Sequence, residues 1–201
     1  MPYSVVSTLR IPEPAAFIKA FNSKVRFGLE SNGATSISFR QFIAGGEMSG
    51  SVQASFIFNQ IDEAVAARDK AAAVATGLIA ETGTTVIARS IAHARAERGV
   101  TTGEYGSMLM TRAAPQTDAT YQSNADLFWS KMSSGCNGQR FSLVVAGGER
   151  TGSMAAITWT DSLSALQNAS DAMFASPDVQ QLLADQQVTM SSKAFFRTLE
   201  S

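Results

Sequence analysis

The sequence has one cysteine, Cys136, and one histidine, His93. A lone cysteine cannot form an internal disulfide, and neither residue has partners at the spacing of a zinc site. The sequence therefore predicts no bound metal. A reducing, cytoplasmic setting fits the near absence of cysteine.

Positive charge is also scarce, because 16 lysines and arginines face 17 aspartates and glutamates and leave a net charge of −1. Binding to nucleic acids and to anionic membranes depends on clustered lysine and arginine, so neither partner is expected. Nowhere do about 18 uncharged apolar residues follow one another, and residues 1–6 lack the basic start of an export signal. We therefore expect a protein that is neither embedded in a membrane nor exported.

Several catalytic motifs are missing. No serine lies in a Gly-x-Ser-x-Gly elbow, and the glycine-rich segments lack the lysine of a phosphate loop and the strand-then-helix setting of a dinucleotide loop. With 45% hydrophobic and 16% charged residues, the chain nevertheless has ample material for a core. The prediction is a globular protein without a nucleotide or other cofactor.

What the sequence does contain is an internal repeat. Phe39 is followed by Ala-Gly-Gly-Glu-Met-Ser-Gly-Ser at residues 44–51, and Phe141 is followed by Ala-Gly-Gly-Glu-Arg-Thr-Gly-Ser at residues 146–153. The same offset of 102 residues superposes other identical pairs without a gap, among them Arg10 and Arg112, Asp69 and Asp171, and Arg95 and Arg197. Such a register indicates a tandem duplication. We place the two units at residues 1–98 and 104–201, with residues 95–106 as the connection.

Both units show the same order of predicted elements. Apolar alternation predicts strands at residues 3–11 and 105–112, and apolar residues at helical spacing follow each of them. The glycine-rich segments join two short strands into a hairpin, 36–44 with 51–58 and 140–146 with 153–160. A second helix follows, at 62–80 or at 162–175 with a restart at Ser176-Pro177. A last strand, 85–94 or 188–196, completes each unit.

Two helices can cover only one face of four antiparallel strands, so the other face of each sheet needs a partner. The duplicated unit supplies one if the two bare faces pack together about a pseudo-twofold axis. We therefore predict an α+β fold in which two tandem ferredoxin-like βαββαβ units, with antiparallel sheets, form a pseudo-dimeric α/β barrel. The sequence leaves open whether such barrels associate into a homo-oligomer.

The βαββαβ order, the duplication and the helical restart after Ser176-Pro177 resemble the dimeric α/β-barrel superfamily. This superfamily includes antibiotic-biosynthesis monooxygenases, stress-responsive A/B-barrel proteins, small isomerases and haem-handling enzymes. The resemblance covers nearly the whole chain, but it rests on topology and pattern and points to no individual family. It implies a site for a small molecule and, in the haem-handling members, a histidine bound to iron. No motif around His93 matches theirs.

The duplicated Gly-Gly-Glu segment has two interpretations. In the structural one, the glycines allow positive φ in the hairpin connection. In the functional one, Glu47 and Glu149 lie at symmetric places near a cleft and act as catalytic acids or bases. The structural interpretation is favoured, because hairpins routinely need glycine in this way.

His93 is the third candidate catalytic residue, because histidine alone has an unperturbed pKa of ~6.5 and can transfer protons near neutral pH. A strand-end histidine that is merely solvated or hydrogen-bonded is the competing interpretation. Arg40 and Arg89 are candidate ligand-binding residues, since an arginine that faces a pocket favours a carboxylate. Trp159, on a strand between two threonines, is a candidate pocket wall, with core packing as the alternative.

The predicted function is binding of a small organic ligand, carboxylate-bearing if an arginine holds it, in a pocket between sheet and helices. The resemblance implies activity as a cofactor-independent monooxygenase or isomerase. The alternative is a non-catalytic ligand-sensing or structural module. In the repeat register, His93, Arg89 and Arg40 have uncharged counterparts, which favours a site in the first unit.

Overall fold

The computed structural model describes residues 1–200 and contains eight strands and six α-helices. The first half consists of β1 (Tyr3–Arg10), α1 (Pro14–Lys24), α2 (Arg26–Glu30), β2 (Ser36–Ala44), β3 (Val52–Phe58), α3 (Ile61–Glu81) and β4 (Thr85–Gly99). The second half consists of β5 (Tyr105–Arg112), α4 (Asp118–Met132), β6 (Gly138–Ala146), β7 (Met154–Thr160), α5 (Leu163–Ala175), α6 (Pro177–Asp185) and β8 (Thr189–Glu200). Both halves follow the predicted βαββαβ order.

The eight strands form one closed barrel in the order β1-β3-β2-β8-β5-β7-β6-β4, and every neighbouring pair is antiparallel. Two ladders join the halves, since β2 pairs with β8 and β4 pairs with β6. Closure in this way leaves no strand edge unpaired. The predicted α+β fold with a pseudo-dimeric α/β barrel is confirmed.

The repeat register holds in the strands but not in the first helix of each half. Strands β5, β6 and β7 begin and end 102 residues after β1, β2 and β3, whereas α4 begins 104 residues after α1. In addition, α4 is unbroken, while α1 and α2 are separated at Val25. Residues of α1 and α4 are therefore matched by their place in the helix and not by the 102-residue offset. Phe21 corresponds to Ala125, because each is the eighth residue of its helix.

The junction between the halves differs from the prediction. The sequence predicts a connection over residues 95–106, but β4 continues as a strand to Gly99. It continues because its second part pairs with β6, from Ile91 opposite Ala146 to Gly99 opposite Gly138. Arg95 is thereby carried from the first unit into the sheet of the second.

Local sequence sets the starts of three helices. Gln60 and Glu63 form a capping box at the start of α3. Thr117 caps α4, because its hydroxyl oxygen accepts a hydrogen bond from the backbone N–H of Thr120 at 3.2 Å. Pro177 begins α6 after Ser176, as predicted. Among residues 1–200, no helix has both the length and the apolar character needed to cross a bilayer.

The apolar core occupies three spaces. Two lie between a sheet and its helices, and the third is the interior of the barrel, where side chains from both halves meet. The buried apolar residues of the interior come from β2 and from all four strands of the second half, and they are Phe42, Met108, Met110, Val144, Ala155, Trp159, Ala194 and Phe196. The faces that two separate sheets would expose are therefore buried against each other.

Candidate ligand-binding site

Each half has a cavity between its sheet and its helices, and the two differ in size. The first-half cavity, between β1, β3, β4 and helices α1 and α3, has a volume of about 190 Å³. The second-half cavity, between β5–β8 and helices α4–α6, has a volume of about 400 Å³. Only the larger one lies in the usual range for binding sites of small organic molecules, roughly 300–1,000 Å³.

Phenylalanine side chains explain the small size of the first-half cavity. Phe21 lies 5.0 Å from Phe39 and 5.7 Å from Phe56, measured between ring centroids, so the three rings fill the space under α1. The corresponding second-half residues are Ala125 for Phe21 and Thr158 for Phe56. Loss of two aromatic rings leaves the second half with the larger cavity.

The floor of the second-half cavity carries a row of polar side chains across three strands. Thr158 on β7 lies opposite Ser107 on β5 and Gln139 on β6. All three line the cavity and are at most 7% exposed. The equivalent row of the first half is apolar, with Val5 on β1, Ile37 on β2 and Phe56 on β3. The second-half floor can therefore form hydrogen bonds with a bound molecule, and the first-half row cannot.

Two residues that line this cavity each have a covered side-chain atom without a hydrogen-bond partner. Gln139 donates from Nε2 to Thr158 Oγ1 at 3.3 Å, but its Oε1 accepts nothing. The Nε of Arg95 donates to nothing. Within residues 1–200 these are the only buried, unpaired side-chain nitrogen or oxygen atoms, and both residues line the same cavity.

The counterpart of Arg95 in the repeat has a partner for its Nε. Arg197 lies opposite Gln41 and donates from Nε and Nη2 to Gln41 Oε1, at 3.0 and 2.6 Å. The same sequence position in the second half is Leu143, which lines the cavity, offers no acceptor and lies opposite His93, whereas Arg95 lies at an irregularity of the β4–β6 ladder. The leucine and the shifted ladder together leave Arg95 Nε without the partner that Arg197 has.

Arg95 lies at the rim of the cavity with two partners. Its Nη1 donates to Asp118 Oδ1 at 3.0 Å, and its guanidinium carbon is 5.9 Å from the ring centroid of Tyr121. Burial, opposed by the positive charge of Arg95, raises the pKa of the Tyr121 hydroxyl, which therefore stays protonated at neutral pH. The rim thus presents the Arg95–Asp118 ion pair and a neutral phenol to the cavity.

An amide cluster closes another side of the cavity. Gln186, just after α6, exchanges two hydrogen bonds with Asn124 on α4, at 2.9 and 3.1 Å, and accepts a third from Gln116 at 2.6 Å. All three residues line the cavity. Their mutual pairing uses their polar groups to hold α4 against the end of α6, which makes them a structural wall.

The structure places the three predicted catalytic residues away from both sheet–helix cavities. Glu47 and Glu149 lie in equivalent 3₁₀ turns of the two hairpins, with exposed side chains. His93 is half-buried, with its ring 4.2 Å from that of Tyr3 and its Nε2 3.1 Å from the carbonyl oxygen of Met1. None of the three lines a cavity described above. Cys136 is buried, which raises the pKa of its thiol to about 11 and keeps it protonated.

The structure brings together two of the three predicted ligand-binding residues, but inside the barrel. The guanidinium carbon of Arg40 lies 5.0 Å from the ring centroid of Trp159, and both residues are at most 5% exposed. Arg89 instead lies at the edge of the small first-half cavity with an exposed side chain. The predicted set is therefore split between two faces of the barrel wall.

Sequence reasoning missed Gln139, Arg95 and Leu143 as a group. The sequence draws attention to the charged residues that the second unit lacks. The differences that matter in the cavity are Gln139 in place of the apolar Ile37 and Leu143 in place of the polar Gln41. Both differences are visible in the 102-residue register. The extension of β4 that brings Arg95 to the second half is not visible in that register.

The second-half cavity does not fit a histidine-bound haem. The haem-handling members that the sequence resembles hold iron through histidine, but neither histidine nor cysteine lines this cavity. Among residues 1–200 there is also no group of three or more His, Cys, Asp and Glu side chains that could hold a metal ion. What the lining does offer is a large apolar surface with a few convergent polar atoms.

No protein-family model matches the sequence, and no curated protein matches it. Solved structures do share its fold. A provisionally assigned monooxygenase from Lactobacillus acidophilus has a TM-score of 0.61 at 11% identity, with 98% of this chain and 93% of that chain covered. An anthrone oxidase-like protein has a TM-score of 0.61 at 10% identity, with 99% and 93% covered. A haem-binding protein from Thermus thermophilus has a TM-score of 0.60 at 9% identity, with 99% and 91% covered.

At these identities the likeness establishes the fold and not the activity. The eight-stranded closed barrel, the two βαββαβ halves and the near-complete coverage agree with one another. The chain thus has the dimeric α/β-barrel fold of the monooxygenase-like ferredoxin-fold proteins, with both barrel halves in one polypeptide.

Proposed function

We propose that the second-half cavity binds a flat, largely apolar organic molecule that has an anionic or carbonyl oxygen at one end and a hydroxyl group at the other. The oxygen accepts a hydrogen bond from Arg95 Nε, and the hydroxyl donates one to Gln139 Oε1. The observation that carries this proposal is that the only two unpaired buried side-chain atoms within residues 1–200 belong to residues that line this one cavity. Both atoms are covered, so the two side chains turn toward the ligand when it binds. A buried polar atom without a partner costs about 1–3 kcal/mol, so a ligand that pairs both atoms is favoured.

The separation of the two residues along the sheet gives a scale for the length of the ligand. Arg98 lies opposite Gln139 in the β4–β6 ladder, so the backbone of Arg95 is three residues farther along β4. At about 3.3 Å per residue the separation is roughly 10 Å, the span of two or three fused rings with their substituents. The stacked rings of Phe128 and Phe141, 5.8 Å apart, and the side chains of Met132 and Met154 supply an apolar wall.

For the activity, we propose cofactor-independent oxygenation of such a molecule. Arg95, whose Nη1 stays paired with Asp118, stabilises the enolate or phenolate form of a bound ligand through its unpaired Nε–H, and such an electron-rich anion is the form that reacts with dioxygen. A largely apolar cavity strengthens this electrostatic effect by excluding water. Two of the structural neighbours support the proposal by their names, a provisionally assigned monooxygenase and an anthrone oxidase-like protein.

We propose the site in the second half, whereas the sequence favours the first. The first-half cavity has half the volume, and its charged side chains, Arg68, Asp69 and Arg89, are exposed. Its interior is filled by phenylalanine rings. The second half has the space and also the unpaired groups.

Binding is tested with three related compounds in calorimetry and thermal shift. 6-Hydroxy-2-naphthoate carries both polar groups, 2-naphthoate lacks the hydroxyl, and 2-naphthol lacks the carboxylate. We expect the first compound to bind most tightly and, at 100 times its Kd, to stabilise the protein by about 2.7 kcal/mol. Gln139→Ile introduces the residue of the first half and removes the preference for the hydroxyl. Leu143→Gln puts an amide acceptor on the cavity wall at the repeat position of Gln41, where it competes with the ligand for Arg95 and reduces the preference for the carboxylate.

The matched control is Gln41→Leu, which makes the reverse change at the equivalent first-half position and leaves the affinities unchanged. Equal binding of the three compounds, or equal effects of Leu143→Gln and Gln41→Leu, would contradict the proposed site. Dioxygen uptake with a hydroxylated anthrone, which carries both a carbonyl and a hydroxyl group, separates the two functions. Consumption that Leu143→Gln abolishes supports oxygenation, whereas binding without consumption identifies a ligand-sensing module.

A further inference from the structure

A third, smaller cavity lies inside the barrel and has a different character. Its volume is about 40 Å³, and it is separated from the proposed ligand site by the sheet itself. Three arginines, Arg40, Arg140 and Arg150, reach it. Its wall also carries four hydroxyl groups, from Ser4, Ser55, Ser90 and Ser142. Hydroxyl and guanidinium groups can all donate hydrogen bonds, so the polar part of the wall is rich in donors, while the rest of the wall is apolar.

The positive charge in this cavity is not balanced by the protein. Arg140 is paired with Glu97, but Arg40 and Arg150 form no ion pair within residues 1–200. Arg40 is only 5% exposed, and its hydrogen bonds go to neutral acceptors, Gln53 Oε1 at 3.3 Å and Ser38 Oγ at 3.4 Å. A buried charge without a counter-charge is strongly unfavourable.

The other neighbours of the Arg40 guanidinium are aromatic rings, which carry no full negative charge. The ring of Trp159 is 5.0 Å and that of Phe196 is 5.3 Å from the guanidinium carbon. Burial, together with the charge of Arg140 over the same Trp159 ring at 5.6 Å, lowers the pKa of Arg40 to about 9. Arginine nevertheless keeps its proton at neutral pH. Its buried charge therefore favours a negative partner from outside the chain.

We propose that the barrel-interior cavity binds one small monovalent inorganic anion, of the size of a halide or nitrate, between Arg40 and the serine hydroxyls. A water molecule occupies about 30 Å³ of liquid, so a cavity of about 40 Å³ holds an ion of this size but not an organic carboxylate with a ring. The anion supplies the missing charge and accepts hydrogen bonds from the guanidinium and hydroxyl donors. This site is independent of the proposed oxygenation, because it lies on the other face of the sheet.

Trp159 provides a direct optical test. It is 3% exposed, so iodide in solvent cannot quench it by collision, whereas iodide bound beside Arg40 lies close to its ring. The experiment uses a Trp129→Phe background in which Trp159 is the only tryptophan, with total salt held constant by sodium gluconate. We expect quenching by sodium iodide that saturates with concentration. Absent quenching, or quenching that rises linearly without saturation, overturns the proposal.

Thermal unfolding in sodium bromide, again balanced with gluconate, is the second readout. We expect Tm to rise by roughly 3–6 °C at ten times the Kd of the ion. Arg40→Met removes this rise in Tm and the iodide quenching. Ser55→Val narrows the cavity but keeps the arginine, and it raises the Kd of both ions at least ten-fold. Arg10→Met, a change at an exposed strand end, leaves both intact. The same bromide response in wild type and in both cavity variants overturns the proposal.

Discussion

His93 shows at the scale of one residue how a candidate catalytic group can be explained by its surroundings. Its ring stacks on Tyr3, its partner in the β1–β4 ladder, and it contacts the Met1 carbonyl. Burial and then the charge of Arg95 lower its pKa below the usual 6.5. As the pH falls through 6.5 toward this lower pKa, the unfolded chain binds the proton first, so folding stability decreases in that window.

The prediction is that wild type loses more thermal stability between pH 7.5 and pH 5 than His93→Phe does. Phenylalanine occupies the equivalent position 195, so the variant keeps an aromatic ring for stacking and loses only the titrating group. Unfolding curves at several pH values give the difference between the two proteins, in which the carboxylates cancel. Parallel pH profiles would show that the folded state does not shift the titration of His93.

At the scale of an element, the first Gly-Gly-Glu hairpin shows why two glycines stand side by side. Gly45 has φ +152°, and a Cβ there would lie 2.6 Å from the Cβ of Ala194 on the neighbouring half. Gly46 has φ +61°, but a Cβ there would meet nothing within 4 Å. The first glycine is needed for close approach to β8 as well as for its backbone, and the second for its backbone alone.

We therefore predict unequal costs for two adjacent substitutions. Gly46→Ala destabilises by about 1 kcal/mol, because only the left-handed conformation opposes alanine. Gly45→Ala costs about 2 kcal/mol or more, since the contact with Ala194 is added. Glu47→Gln, at the exposed next residue, is the control and changes stability little. Denaturant unfolding measures all three, and equal costs for the two glycines would refute the close-approach argument.

At the scale of the whole molecule, the barrel makes each half depend on the other. Separation would expose the interior faces of both sheets, including Trp159 and Phe196 in the second half, and would leave the strands of the β2–β8 and β4–β6 ladders unpaired. Exposed apolar faces and open strand edges promote association. The domain limits at residues 98 and 104 therefore stay a prediction about duplication and do not define two independent domains.

We predict that the isolated fragments 1–99 and 104–201 are insoluble or form dimers and larger species through their open faces. Size-exclusion chromatography and thermal unfolding of each fragment provide the measurement, with the full chain as the reference. A monomeric fragment that unfolds cooperatively would show that one unit suffices for stability.

The sequence by itself determined the duplication, the element order and the barrel. The local signals are strand alternation, helix caps such as Thr117 and glycine-rich turns. Because of the repeat, the pattern of strands, helices and turns is found in both units. Closure then follows, because each sheet has one uncovered apolar face and a partner of the same shape. The candidate roles of Arg40 and Trp159 in ligand binding could be named from the sequence, but the side of the sheet to which they point could not.

Only the tertiary structure decided where the cavities are and which groups in them lack partners. The second-half cavity is large because Ala125 and Thr158 stand where the first half has Phe21 and Phe56. Ala125 is matched with Phe21 only when the two-residue shift between α1 and α4 is taken into account. The unpaired Nε of Arg95 depends on β4 running past the expected boundary to pair with β6. Partnership and burial are properties of three-dimensional packing between distant segments, and the physical reason is that a polar atom is unsatisfied only with respect to its neighbours in space.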